Sequence, residues 1–537
     1  MKLMEFASAE KLRGGFYTPE PIAEFILKWG INGSLTSDIL EPSCGDGVFL
    51  EQILKKELPY NSITAIEFDE IEAVKARNIP LKNTQIFNSD FHIYCNETLN
   101  RFDLVVGNPP YIRYQYFDEI QQKEAAFIFK KAGLTYSKLT NAWVSFIVGS
   151  SLLLKEKGKI GFVIPAELLQ VTYAQQLRSF LSYFYNKINI ISFEKLVFPN
   201  IQQEVVLLLC EKDNTNQHKI EHLELKDAAD LKSLDVNRLK SPKKEIDNKN
   251  SKWTFYFLEQ NEIDFLENIS KKYQIPTIAK FANVEVGITT GANDFFTVNS
   301  DVVKQFQLEA FVRPMVGRSV QVNSSIFTNE DWERNKASAA KANLLVFPDS
   351  HHIKEHHGAM AYIEQGEDKG INKGYKCGIR DDWFVVPSLK ISDALFLRRN
   401  NIYPKFVLNQ AKAYTTDTMH RVFVKKDVNI NALIASYYNS VSLCFSEICG
   451  RSYGGGVLEL MPNEVERILL PYNEKHAELL NEIDFMFRNK NNIDEILKVT
   501  DRKILAETVG FTQEEVQLAN SIWKKLSKRR MNRGKSK

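Results

Sequence analysis

Phe102-Asp103-Leu104-Val105-Val106-Gly107-Asn108-Pro109-Pro110-Tyr111 is the stretch around which the rest of the chain is read. Residues 104–106 are a short apolar run that stops at a glycine, the pattern of a buried strand reaching its C-terminal edge. Ligands in open α/β sheets bind outside that edge. Asn108 then offers an amide oxygen as acceptor. Each proline fixes its own φ and restricts the residue before it, so the carbonyls of Asn108 and Pro109 are held in defined directions. Tyr111 supplies a flat π-face. The bland reading is a Pro-Pro turn after an edge strand. The ordered series of strand, glycine, amide, Pro109, Pro110 and aromatic argues for chemistry on an exocyclic amine or amide NH2. The nitrogen of such a group is a poor nucleophile because its lone pair is delocalised. Two acceptors placed off its plane would localise that pair.

The chain has 537 residues, too many for one ordinary domain, and its 44% hydrophobic and 25% charged content is that of a soluble globular protein. A formal net charge of +2 means that any nucleic-acid surface is a local patch. No apolar run spans a bilayer, residues 1–13 lack a signal-peptide core, and the six cysteines form no CxxC pair. A cytoplasmic protein with no membrane partner is expected. His351, His352, His356 and His357 lack acidic or cysteine partners at ligand spacing, so no metal site is assigned.

Upstream, Thr18 precedes Pro19 as an N-cap before a helix over 19–29. Residues 38–50 read as strand, glycine turn and helix. The turn contains Glu41, Ser43, Cys44, Gly45, Asp46 and Gly47, small enough for backbone N–H groups to approach a ligand. A second strand, 63–69, carries Glu67, whose carboxylate can accept both hydroxyls of a ribose. A third, 84–87, leads to Asp90 and Phe91; Asp90 is either a helix N-cap or an acceptor for an adenine amino group, and Phe91 can flank the ring. Residues 112–140 are too long for a simple turn and are expected to cover or contact substrate. A helix over 141–154, a strand over 159–165 and an antiparallel hairpin of 189–197 and 203–210 follow, with Phe198 at the hairpin loop. Residues 211–252 turn polar and hold a linker. Beyond it, the pieces 285–294, 312–318 and 450–456 combine glycine with exposed polar residues. Arg451 and Tyr453 in the last of these suit DNA contacts. The tail 523–537 is basic.

The order Tyr17-Thr18-Pro19, Glu41-Pro42-Ser43-Cys44-Gly45, Glu67, Asp90-Phe91, Asn108-Pro109-Pro110-Tyr111 resembles the TaqI-type, or gamma-class, N6-adenine DNA methyltransferases that use S-adenosylmethionine. The resemblance covers roughly residues 12–212, and more loosely Gly291-Ala292-Asn293-Asp294 and 451–456. It implies an α/β, Rossmann-like, seven-stranded, mainly parallel methyltransferase sheet with an antiparallel last strand, plus a C-terminal α+β target-recognition domain. The division it suggests is a methyltransferase domain 1–212, a linker 213–252, a recognition domain 253–470 and a helical region with basic tail 471–537. Thr18 and Ser43 would meet the methionine end of the cofactor, with Glu41 and Gly45 in the same turn. Glu67 would take the ribose, Asp90 the adenine amino group, and Phe91 and Phe146 the ring faces. Asn108 and the Pro109 carbonyl would bind the target amine, while Tyr111 and Phe198 would hold a flipped adenine in duplex DNA.

The same motif occurs in glutamine N5 protein methyltransferases and guanine N2 ribosomal RNA enzymes. The long C-terminal half and the Tyr17-Thr18-Pro19 loop argue against both. A catalytically dead DNA-binding protein is disfavoured by the intact motif. The early start of the motifs and the lack of a clear nuclease pattern suggest a stand-alone modification enzyme, with any cognate endonuclease on another chain.

Overall fold

The computed structural model describes residues 17–32, 37–112, 116–138, 140–198, 203–213, 215, 218–236, 244, 252–453 except 388, and 455–533. The expected loop at 14–16, the hairpin tip 199–202, most of the polar stretch 237–251, Gly454 and the basic Lys535 and Lys537 lie outside the described residues. Contacts divide the chain into two units. The first is 1–263 with 453–455 and 532–537; the second is 264–452 with 456–531.

In the first unit, α1 (Glu20–Ile31) precedes β1 (Asp38–Glu41), α2 (Val48–Lys55), β2 (Ser62–Glu67), α3 (Glu70–Arg77), β3 (Thr84–Asn88), α4 (Phe91–Glu97) and β4 (Phe102–Gly107). After them come α5 (Glu119–Lys131), α6 (Ala142–Leu152), β5 (Leu154–Pro165), β6 (Lys187–Phe193), β7 (Val205–Glu211) and β8 (Lys219–Leu225). The strands form one sheet in the order β3-β2-β1-β4-β5-β7-β6-β8. Among the described residues β7 alone runs antiparallel to its neighbours. The strand order reverses between β1 and β4, which places a crevice outside their C-terminal ends. The central strands are apolar runs because both faces are covered: Leu104 and Val106 of β4 and Leu207 and Leu209 of β7 are buried in the same core as Ile22, Ile26 and Phe49 of the helices.

Two local expectations change. The sheet has eight strands, because the stretch read as linker contains β8. Its Lys, Glu and His residues mask the alternation, and charge on an edge strand discourages pairing with other chains. The buried His222 in β8 is satisfied, with Nε2 2.8 Å from Ser192 Oγ and Nδ1 3.1 Å from the Tyr256 carbonyl. Likewise, α1 begins one residue later than the sequence suggests. Pro19 takes the N-cap position, so the Thr18 side chain is not used as a cap.

The second unit is α+β. A five-stranded and a four-stranded sheet each back onto their own apolar cluster. The helical end, 471–531, falls within this unit. It is tied in by Asp501, which accepts from the Ser440 N–H (2.7 Å) and hydroxyl (2.6 Å), and by the Phe511 ring, 4.2 Å from Tyr273. Gly287 is a point of close approach: a Cβ there would lie 1.8 Å from the Thr416 carbonyl oxygen, and its N–H donates to Met419 O at 3.1 Å. Among the described residues no helix is long and apolar enough to cross a membrane.

Because the obstruction at Gly287 is backbone, no side-chain rotation relieves it. Gly287→Ala is expected to destabilise the protein by about 1–3 kcal/mol, read as a lower urea midpoint. An unchanged midpoint would show that segment 415–419 is not held against Gly287.

Candidate active site

β1, β2, β3 and β4 end side by side, and hydrogen bonds lock the turns that follow. The Cys44 N–H donates to Ile66 O at 3.0 Å, and the Ser89 N–H donates to Glu67 O at 3.0 Å. Glu67 accepts from the Gly45 N–H through one carboxyl oxygen and from the Asp69 N–H through the other, both at 2.8 Å. Gly45 has φ +54°, and a Cβ built on it meets no heavy atom within 4 Å, so the turn presents bare backbone to open space.

That space is a cavity of about 410 Å³. It brings together Thr18, Glu41, Ser43, Gly45, Glu67, Asp90, Phe91 and Phe146 from the predicted cofactor set, and Asn108 and Pro110 from the predicted catalytic set. Pro109 and Tyr111 adjoin it in sequence without lining it. Phe198, Arg451 and Tyr453 are not among its walls.

Two acids, the buried Glu41 and the half-buried Glu67, line the cavity. Glu41 is 2% exposed, and its Oε2 is buried with no hydrogen-bond partner among the described residues. Burial, together with the negative charges of Glu67 and Asp46, raises its pKa well above the usual carboxylate range. Burial also raises Glu67. Acids held in this condition are relieved by an arriving positive charge. S-adenosylmethionine, which carries an ammonium and a sulfonium, fits these residues.

Asp90 takes the N-cap position that the sequence offered. It caps α4, with Oδ1 accepting from the His92 N–H at 2.7 Å and the Ile93 N–H at 3.3 Å, and it also lines the cavity. Burial would raise its pKa, but hydrogen bonds from His92 and Gln121 outweigh it and hold the carboxylate below its ordinary value.

Phe91 and Phe146, expected to flank the cofactor adenine, both line the cavity. Their own rings stack at 4.8 Å and 27°, whereas a ring between them needs about 7 Å. They form one wall. Phe68, missed in the sequence, also lines the cavity and is 68% exposed. Its signal was its place directly after the strand-end Glu67. His92 was missed as well. Its ring is buried between Asp90 Oδ1 (Nδ1, 3.0 Å) and Ser145 Oγ (Nε2, 2.7 Å).

In the catalytic motif, the Ser43 hydroxyl donates to the Asn108 carbonyl at 3.3 Å. The Tyr111 hydroxyl lies 2.7 Å from Asn108 Oδ1 and 3.1 Å from Val163 O, with donor geometry towards both. Tyr111 therefore braces the amide in addition to offering a ring. Phe198 is 4% exposed inside the core against which Tyr111 packs, so its faces are already covered. Arg451, expected at the DNA, is engaged within the protein. Its Nε donates to Oε1 of the fully buried Glu464 at 2.9 Å, and a buried carboxylate holds such a partner firmly.

The fold and this cavity define an S-adenosylmethionine-dependent methyltransferase. Residues 35–198 match the Eco57I restriction-modification methylase family, and residues 250–505 match the C-terminal domain of the type II methyltransferase M.Eco57I. The type II methyltransferase M.AccI of Acinetobacter calcoaceticus is 27% identical over 521 residues, 92% of this chain and 93% of the relative. The restriction enzyme and methyltransferase RM.Eco57I of Escherichia coli is 30% identical over 198 residues, 36% of this chain and 19% of its own length. The type IIL restriction-modification enzyme MmeI, solved in complex with DNA, shares the fold over 97% of this chain and 80% of its own, with a TM-score of 0.61 at 14% identity. The two family matches and the full-length likeness to M.AccI support a type II restriction-modification DNA methyltransferase.

A cationic ligand favours ionised Glu41, so its binding releases a proton in the range above the ordinary carboxylate pKa of 4.5. Affinity for S-adenosylmethionine should fall as pH is lowered through that range. Glu41→Gln should weaken binding by about 10- to 100-fold at neutral pH and flatten the pH profile. Isothermal titration across pH checks both; an unaltered slope in the variant would place the titrating group elsewhere.

Proposed function

We propose that the protein transfers a methyl group to N6 of adenine in duplex DNA, on a base turned out of the helix. The observation that carries this reading is Asn108: an amide acceptor at the end of β4, on the wall of the cavity that holds the cofactor acids. S-adenosylmethionine supplies an electrophilic methyl on a cationic sulfur. Thr18, Glu41 and Ser43 hold its methionine end, Glu67 the ribose, and Asp90 the adenine amino group. The Phe91–Phe146 wall and Phe68 enclose the ring. Asn108 Oδ1 and the Pro109 carbonyl accept from the target NH2 and localise its lone pair, with Pro110 fixing the turn. The Tyr111 ring stacks on the base, and Phe198 supports Tyr111 from the core.

An exocyclic amine is favoured over cytosine C5 by Cys44, the cysteine on the cavity wall. Burial and the neighbouring Glu41 and Glu67 push its thiol far up, opposite to what a nucleophile needs. A base inside the duplex cannot reach such a cavity, so it must be extruded. The region 253–470 would carry target recognition. Tyr453, 39% exposed, would contact DNA there, while Arg451 would act mainly as a brace. A modification enzyme with its cognate endonuclease on another chain belongs to this reading. A cytoplasmic location goes with this reading.

Labelled S-adenosylmethionine offered with DNA, RNA and release-factor protein in parallel should label DNA; label confined to RNA or protein would overturn the proposal. Asn108→Ala should lower the single-turnover methylation rate by about 10²–10³-fold. Base extrusion, followed by 2-aminopurine fluorescence at the target position, should persist. A near-normal rate would remove Asn108 from the chemistry.

A further inference from the structure

Gln121 opens the first turn of α5, the helix that follows the catalytic motif. Its carboxamide is used at both ends. Oε1 accepts from the Asp118 N–H at 3.2 Å while its own N–H donates to Asp118 Oδ1 at 2.8 Å, a reciprocal cap of the helix. Nε2 donates to Asp90 Oδ2 at 2.9 Å, 31 residues back in the chain. Both side chains lie on the wall of the cofactor cavity.

The cap explains Oε1 and leaves Nε2 unexplained. A glutamate at this position would serve the helix equally well, since Glu and Gln both complete such a cap. It would, however, set a second carboxylate against Asp90. Only the amide can cap α5 and also donate to Asp90. The two oxygens of Asp90 are correspondingly divided. Oδ1 is filled by the His92 and Ile93 N–H groups and the His92 ring, whereas Oδ2 carries Gln121. A carboxylate oxygen has capacity for a further donor, so a purine amino group at Asp90 would share Oδ2 with Gln121.

We propose that Gln121 is a positioning residue for the cofactor: it fixes Asp90 Oδ2 for the 6-amino group of the adenine. The same side chain thereby ties the start of α5, the substrate-side segment after Tyr111, to the adenine end of the pocket. This deepens the functional reading above and rests on its assignment of Asp90 to the cofactor amino group.

The test uses the full-length protein and two probes, S-adenosylhomocysteine and its analogue bearing hydrogen in place of the 6-amino group. The wild-type protein should prefer the first by about tenfold or more, as expected for one hydrogen bond to a charged group. Gln121→Glu, which retains the cap, and Gln121→Leu should both melt near the wild-type temperature. In both, the preference should shrink to within about threefold, chiefly through weaker binding of S-adenosylhomocysteine. A merely structural role would lower affinity for both probes equally and keep the ratio. An unchanged ratio in correctly folded variants overturns the role of Gln121 while leaving Asp90 in place. A wild-type protein that does not distinguish the probes overturns the Asp90 assignment and this proposal with it.

Discussion

The carboxylate of Glu67 is the constraint on which the site depends. It accepts two backbone N–H groups, from the turn after β1 and from the start of the segment after β2, each at 2.8 Å. Burial penalises this charge, and the two N–H groups offset part of that penalty. Two turns that would otherwise close independently are thereby set at one spacing. Glu41, the last residue of β1, is buried, and its Oε2 has no hydrogen-bond partner among the described residues. The result is a preformed pocket whose charges are unfavourable until a cation enters. Such strain at a binding site is held by the surrounding sheet, whose central strands are buried on both faces.

The second constraint is the coupling between pocket and motif. Ser43, in the cofactor turn, donates to the carbonyl of Asn108, and Tyr111 braces the Asn108 amide against Val163 of β5. The carbonyl and amide of Asn108, the proposed acceptors for the target amine, are thus oriented by the turn after β1 and by the neighbouring strand. The proline pair sets the backbone, and these contacts set the side chain. A catalytic site of this kind works through placement, and its parts need little freedom once the ligands are in.

Much of this was legible because the determinants are local. An apolar run broken by glycine marks a strand end, and the acids that follow β1, β2 and β3 fall where a ligand meets an open α/β sheet. What was not legible depends on contacts distant in sequence. Phe91 and Phe146 are 55 residues apart, and nothing in either segment tells that their rings stack on each other rather than around a ligand. Gln121 reaches Asp90 across 31 residues. Arg451, exposed by its composition, is claimed by Glu464 once the chain folds. β8 was hidden because an edge strand bearing Lys, Glu and His does not alternate cleanly, although its register with β6 is regular over seven pairs. Thr18 shows the reverse: a convincing cap signal was overridden when Pro19 took the cap, leaving Thr18 on the cavity wall.

The central claim is that the pocket delivers a methyl group to an exocyclic amine of adenine held at Asn108. The most direct measurement is the nucleoside composition of duplex DNA treated with the full-length protein and S-adenosylmethionine, digested and resolved by mass spectrometry. The account predicts N6-methyl-2′-deoxyadenosine as the product, formed by the wild-type protein and nearly absent with Asn108→Ala. Methylation of cytosine, at N4 or C5, or equal product from the variant, would contradict it.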